Sequence, residues 1–250
     1  MAEINTIDKV IEALDGIIKQ SEDNNDTAGY FAALYRKVTA RVKLGIINHE
    51  FEDGVRMEQL DVIFANRYID AYVAWKQGLP VTASWKKAFD IAPNYWPIVL
   101  QHLLMGMNAH INLDLGIAAA TVSNGKNILG LQNDFNKINT ILSSLVTEVQ
   151  NELADIWPRL KWILQRTRNV DDFMVDFSMQ LSREGAWQFA LSIAGKPTAE
   201  FETLVAARDA RVAEKSKIVT HDGFGASLLL GIIRLGERGT VKQKIEKLKT

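Results

Sequence analysis

The sequence predicts an all-α protein, a single-domain helical bundle around a buried central helix at about residues 97–122. Three observations carry this. Apolar residues recur at the three- and four-residue spacing of helices through most of the chain. No period-two run of useful length occurs, nor any Asn-Gly hairpin between β-branched stretches. Between Lys87 and Lys126 there is no Lys, Arg or Glu, and the only formal charges are Asp90 and Asp114. A helix apolar on nearly every side has to be surrounded by other elements. The connections are short and there is no internal repeat, so the 250 residues are expected to form one domain with about two thirds or more in helices.

The first helix takes its cap from Asn5 or Thr6 and buries Ile7, Val10, Ile11, Leu14, Ile17 and Ile18, until the polar run at residues 21–26 stops it. The second carries Phe31, Leu34, Tyr35, Val38 and Val42 on one face and frays near Gly45. Residues 46–54 then read as an irregular loop with a turn at Asp53-Gly54. The third, about 57–76, aligns Met57, Leu60, Asp61, Phe64, Tyr68, Ala71 and Trp75. After Gly78-Leu79-Pro80, Thr82 or Ser84 opens a short helix through Phe89, and Ala92-Pro93-Asn94 is a turn. Pro97 suits the first turn of the central helix, where its missing N–H costs nothing.

Ser123-Asn124-Gly125-Lys126 ends the central helix. The next begins near Asn133 or Asp134, the latter read as its N-cap. It carries Phe135, Ile138, Leu142, Leu145, Val149, Leu153 and Ile156 to Pro158. A short apolar helix around 160–164 follows. Another starts at Asp171 or Asp172 and passes Phe173, Phe177, Gln180, Leu181, Trp187 and Leu191 to Gly195-Lys196-Pro197. Thr198 caps a helix bearing Phe201, Leu204, Val205 and Val212, and His221-Asp222-Gly223 reads as a plain turn. Residues 228–235 are apolar apart from Arg234. Thr240 opens a basic terminal helix, about 240–250, read as a solvated face.

A net charge of -1 offers no bulk attraction for nucleic acid, and none is expected as a partner. With no cysteine, disulfides, thiol catalysis and Cys metal sites are excluded. No basic start and apolar run marks a secretory signal, so a cytoplasmic setting is the default, although a mature exported chain would read the same. Gln101, His102, Asn108, His110, Asn112 and Asp114 interrupt the uncharged run, and a membrane span is not expected. Phosphate-binding, dinucleotide-binding and nucleophile-elbow motifs are all missing.

Chemistry, if the chain performs any, belongs to the polar residues inside that run. His110 and Asp114 share a face one turn apart, and His102 lies two turns earlier, offset by about 80°. The pair is read either as a divalent-metal site, with His102, His110 and Asp114 as ligands, or as a metal-free histidine–carboxylate network. Asp61 stands where a core residue belongs. It is expected to meet Arg67, Arg56, an asparagine or a histidine, or to act as a ligand or base. Asn108 and Asn112 line a cleft or bridge helices. His49 and Arg56 are further candidates for contacting substrate. Arg183, Glu184 and Trp187 suggest an internal ion pair under an indole.

Several runs carry a family likeness: Phe51-Glu-Asp-Gly-Val-Arg-Met-Glu-Gln-Leu-Asp-Val-Ile-Phe-Ala-Asn-Arg-Tyr68, Ser84-Trp-Lys-Lys-Ala-Phe89, Gln101-His-Leu-Leu-Met-Gly-Met-Asn-Ala-His-Ile-Asn-Leu-Asp-Leu115, Asn133-Asp-Phe135 with Asn139, and Arg183-Glu-Gly-Ala-Trp187. Together they resemble a bacterial family catalogued as domain of unknown function 5995. The resemblance implies a single all-helical domain and assigns no activity. A weaker likeness is to zinc-dependent phospholipase C and the related single-strand nucleases, all-helical proteins with His-x-x-x-Asp ligands around a zinc cluster. His110 and Asp114 match that piece, and His102 stands in for another ligand. The second-helix His-x-x-x-Glu pair of that family is missing, which limits the implication to one or two metals.

Two functions are therefore expected to compete. The leading one is a hydrolase-like enzyme, with a divalent metal such as zinc as its candidate cofactor and a small polar substrate. In it Asp61, His102, His110 and Asp114 act as ligands or bases, and Asn108, Asn112, His49 and Arg56 hold the substrate. The other is a non-catalytic helical module that binds a ligand or partner, its buried polar network serving the fold.

Overall fold

The computed structural model describes residues 3–138, 156, 179–220 and 224–249. No strand occurs among the described residues, and the all-α bundle is the architecture observed. None of their helices is long and apolar enough to cross a membrane.

Helix α1 (Ile7–Asn24) opens on Thr6, whose side chain accepts from the Lys9 N–H, and closes on Asn25 at a left-handed φ of 52°. Helix α2 (Gly29–Ile47) returns antiparallel to it, with Arg36 paired to Asp15 and Lys43 to Asp8. It passes Gly45, the expected fraying point, and His49 takes the left-handed turn at φ 53°. Helix α3 (Gly54–Lys76) is capped by Asp53 and runs antiparallel to α2, so that Tyr35 faces Phe64 and Phe31 faces Tyr68. Helix α4 (Ala83–Asp90) receives its N-terminal cap from far away. Asp209 accepts from the Ala83 and Ser84 N–H groups, whereas Thr82 makes no side-chain cap bond.

The central rod is not one α-helix. Helix α5 (Val99–Ala109) leads into a single π-turn (His110–Asp114) and then helix α6 (Leu115–Val122), with the Leu115 N–H reaching back five residues to the His110 carbonyl. Pro97 precedes the N-cap Ile98 and so stands outside the first turn. After a short 3₁₀ turn (Ile128–Leu131), helical backbone covers 132–138, so Asp134 lies inside that helix rather than capping it.

Helices α7 (Met179–Ile193) and α8 (Thr198–Lys215) close the other side of the rod, with Pro197 rather than Thr198 at the N-cap of α8. Gly116 permits the close approach of α6 and α7, because a Cβ there would lie 2.9 Å from the Ala186 carbonyl. A short helix α9 (Lys217–Thr220) precedes α10 (Phe224–Gly236) and α11 (Val241–Lys249). The terminal helix is more than a solvated face. Ile245 and Leu248 are buried against the α1–α2 pair, and the buried Lys244 pairs with Glu237 at 2.8 Å.

The expected apolar series at 142–153, the Pro158 break, the segments at 160–164 and 171–177, Asn139 and His221-Asp222-Gly223 lie outside the described residues.

Candidate functional site

Asp114 is the hub of the interior. Its side chain is wholly buried, yet three donors from three elements reach it. Arg67 Nε of α3 donates to Oδ1 at 2.6 Å, Trp85 Nε1 of α4 donates to Oδ2 at 2.8 Å, and His110 Nδ1 stands 3.2 Å from Oδ2. Burial pushes the carboxyl upward, but the Arg67 charge and the His110 hydrogen bond outweigh it and hold Asp114 below the ordinary carboxylate range. An ionised Asp114 accepts only, so the His110 proton sits on Nδ1 and Nε2 keeps its lone pair.

Aromatic rings fix that imidazole. Phe64 stacks on it at 3.6 Å between centroids with planes 6° apart, Tyr35 meets it edge-on at 4.4 Å, and Phe31, Tyr68 and Trp85 complete the cage. Burial lowers the His110 pKa, opposed by the Asp114 hydrogen bond, and the ring is neutral at physiological pH. Gly106 makes room one turn before, since a Cβ there would fall 2.4 Å from the Phe31 ring.

Asp61 does not meet the partners expected for it. Arg67 is taken by Asp114, and Arg56 by Gly130 O, Asp53 and Asp134. Asp61 makes no hydrogen bond or ion pair among the described residues, and its Oδ2 is buried without a partner. Burial, with Glu58 adding to it, pushes its pKa up to about 7. Tyr35 next to it is pushed well above the ordinary phenol value by burial first and by the Asp61 charge second.

His102 points elsewhere, packed edge-on against Tyr30 at 5.5 Å, with its pKa lowered to about 3 by burial first and the Arg234 charge second. It belongs to a second buried cluster at the start of α5. There Glu237 accepts from the Val99 N–H, from Arg234 and from Lys244, each at 2.8 Å. Among the described residues no three His, Asp or Glu side chains converge as a metal site, so the His102, His110 and Asp114 set is not brought together.

The two asparagines bridge helices. Asn108 Nδ2 donates to the Val212 carbonyl at 2.9 Å, Asn112 Nδ2 donates to Asn108 Oδ1 at 3.0 Å, and Arg208 Nε donates to the Asn112 carbonyl. His49 is exposed at its turn. Asp134, expected as a cap, locks the α2–α3 loop by accepting from the Glu52 and Asp53 N–H groups at 2.7 and 3.1 Å. Glu184 is exposed and accepts from Gln188 instead of facing inward with Arg183, while Trp187 packs on Phe135.

Trp85, Phe64 and Tyr35 escaped the sequence reading, because an apolar stripe gives no sign of which ring will lie on a histidine. Arg67 was visible as a candidate partner but was matched to the other aspartate. Lys244 fell within the terminal helix read as a solvated face.

Fold and site together define an all-helical protein whose central rod is keyed to its neighbours by a buried carboxylate. The family model described as "Family of unknown function (DUF5995)" matches residues 7–222, and the chain belongs to that family. No curated protein and no solved structure matches it.

Proposed function

We propose that this protein is a non-catalytic helical module for a small polar ligand or a partner, and that the His110–Asp114–Arg67–Trp85 constellation serves its architecture. The observation that supports this reading is the engagement of Asp114, with both oxygens held by donors from α3, α4 and the π-turn. A carboxylate acting as base or metal ligand needs a lone pair turned toward the reacting group, whereas protein donors take three of the roughly four acceptor positions of Asp114 and its side chain is wholly buried. The near-neutral charge of the chain supports a ligand other than nucleic acid. A cytoplasmic setting is part of the proposal.

A divalent-metal-dependent hydrolase is the second reading, and one observation favours it. His110 Nε2 is a bare lone pair oriented from behind by a carboxylate, as in metal-ligating histidines, and Asp61 is a second buried carboxyl, of raised pKa. In that reading Asp114 orients and Asp61 is ligand or base.

Elemental analysis of the purified full chain, combined with melting scans with zinc and with chelator, decides between them. The module reading expects no stoichiometric metal and no shift in melting temperature. Stoichiometric metal, with a zinc-dependent rise in melting temperature that His110→Ala abolishes, would overturn it in favour of the hydrolase.

A further inference from the structure

We propose that Tyr35, Thr39, Asp61 and His110 line one closed polar site that holds a small neutral hydrogen-bonding guest, either ordered water or a neutral molecule of a few heavy atoms. The inference rests on the binding-module reading and names where the ligand of that module sits.

The antiparallel run of α2 and α3 brings these groups together. Tyr35 of α2 and Phe64 of α3 share a layer, their rings 5.8 Å apart. Thr39 lies one turn beyond Tyr35 toward the α2–α3 loop, and Asp61 lies one turn before Phe64 toward the same loop, so both flank that layer on one side. The charge coupling between Tyr35 and Asp61 agrees with this placement. His110 closes the group by stacking on Phe64 and meeting the Tyr35 edge. All four are at least nine-tenths buried, at 3%, 0%, 6% and 2% exposure. Asp61 Oδ2 and His110 Nε2 are each buried without a hydrogen-bond partner among the described residues, and the Tyr35 hydroxyl and Thr39 Oγ1, which approach each other, close no bond of good geometry.

Buried polar atoms without partners are rare, and four around one layer call for a shared one. The chemistry of the walls selects it. His110 Nε2 offers a lone pair, so the guest donates there, while the two hydroxyls and the carboxyl of Asp61 either give or receive. An anion would face Asp61 and Asp114. A divalent cation would face only one uncompensated carboxylate, because Arg67 already neutralises Asp114, and would leave net positive charge in the interior. A neutral donor–acceptor molecule satisfies every wall. The burial of all four groups keeps it small.

Water is the probe for one arm of the test and the mass of the native protein for the other. In the full chain with labelled histidine and tyrosine, cross-relaxation between water and the His110 ring protons is expected if the guest is water. Native mass spectrometry that finds a neutral mass released on unfolding identifies an organic guest instead. Thr39→Val, close to isosteric, should shorten the residence of either guest at least about tenfold while the fold survives. Tyr35→Phe gives a second such variant should Thr39→Val fail to fold. A dry site, in which a high-resolution density map shows the four atoms bonded directly to one another, overturns the proposal and leaves the architectural role of Asp114 standing. Stoichiometric zinc bound through His110 Nε2 and Asp61 overturns it as well, and the module reading falls with it.

Discussion

Asp114 and Asp61 are both aspartates in the core of one bundle, and their surroundings shift their pKa values in opposite directions. Asp114 keeps its charge because Arg67 lies 2.6 Å away. Changing Asp114 to Asn removes the charge that Arg67 answers and leaves one oxygen where Arg67 uses Oδ1 and Trp85 and His110 share Oδ2. A loss of about 3–5 kcal/mol is expected in urea denaturation at neutral pH, since breaking a buried pair leaves its partner uncompensated. A loss below about 1 kcal/mol would mean that the hub is not structural. Asp61 works the other way. Its folded pKa of about 7 lies above its ordinary 3.8, so the folded state holds a proton that the unfolded chain has released. Its contribution is present below pH 3.8 and is lost as pH rises through about 7, worth at most about 4 kcal/mol. His102 and His110 oppose it. Both are lowered below 6.5, so their contribution is full above pH 6.5 and is lost as pH falls. The wild-type curve mixes the two. The stability difference between wild type and Asp61→Asn isolates the acid, and it should decline from about pH 4 to about pH 7 and then level. A difference that does not change with pH would remove the buried-acid account.

The central rod depends on two glycines for its contacts. An added Cβ at Gly106 would lie 2.4 Å from the Phe31 ring, and at Gly116 it would lie 2.7 Å from Phe189 and 2.9 Å from the Ala186 carbonyl. Gly106→Ala and Gly116→Ala should each cost about 1–3 kcal/mol by overpacking. Gly16 of α1 has nothing within 4 Å of such a Cβ, and Gly16→Ala should stabilise by roughly 0.5–1 kcal/mol through helix propensity. Equal effects at all three sites, read from chemical denaturation, would deny the close packing of the rod. How far these elements were legible follows from what each signal measures. Apolar spacing located α1 to α4 and the uncharged rod, because a buried face repeats with the helix. It could not show the π-turn at His110–Asp114, where the apolar run continues unbroken and only the backbone bond from Leu115 to His110 reveals the wider turn. The i, i+4 pairing of His110 with Asp114 was legible because it is internal to one segment. The match of Arg67 to Asp114 rather than Asp61 depends on how α3 lies against the rod, which no local spacing encodes. The same holds for Asp209, Asp134 and Glu237, whose carboxylates serve N–H groups 81 to 138 residues away.

Across the whole molecule, the family match ends at residue 222, yet a junction beyond that point ties the chain's last helix to its central rod. Glu237, just past the end of α10, accepts from the first N–H of α5 at Val99, from Arg234 in the last turn of α10 and from Lys244 on α11. Its side chain and that of Lys244 are each only 4% exposed. Helix α11 in turn covers the start of α2, where Ile245 would sit 2.7 Å from a Cβ on Gly29. A Glu237→Gln change therefore strands a buried ammonium, weakens the cap of α5 and loosens the cover of the α1–α2 pair together. We expect a loss of about 3–5 kcal/mol, and hydrogen exchange that quickens in the first turn of α5 and in α1 and α2 at once, as one cooperative unit. Replacing both charges by apolar residues of similar length, Glu237→Leu with Lys244→Met, should recover most of that loss, because a matched apolar pair carries no desolvation cost. If Glu237→Gln leaves stability within about 0.5 kcal/mol, or quickens exchange only in α11, the terminal helix is an appendage and the rod is held without it.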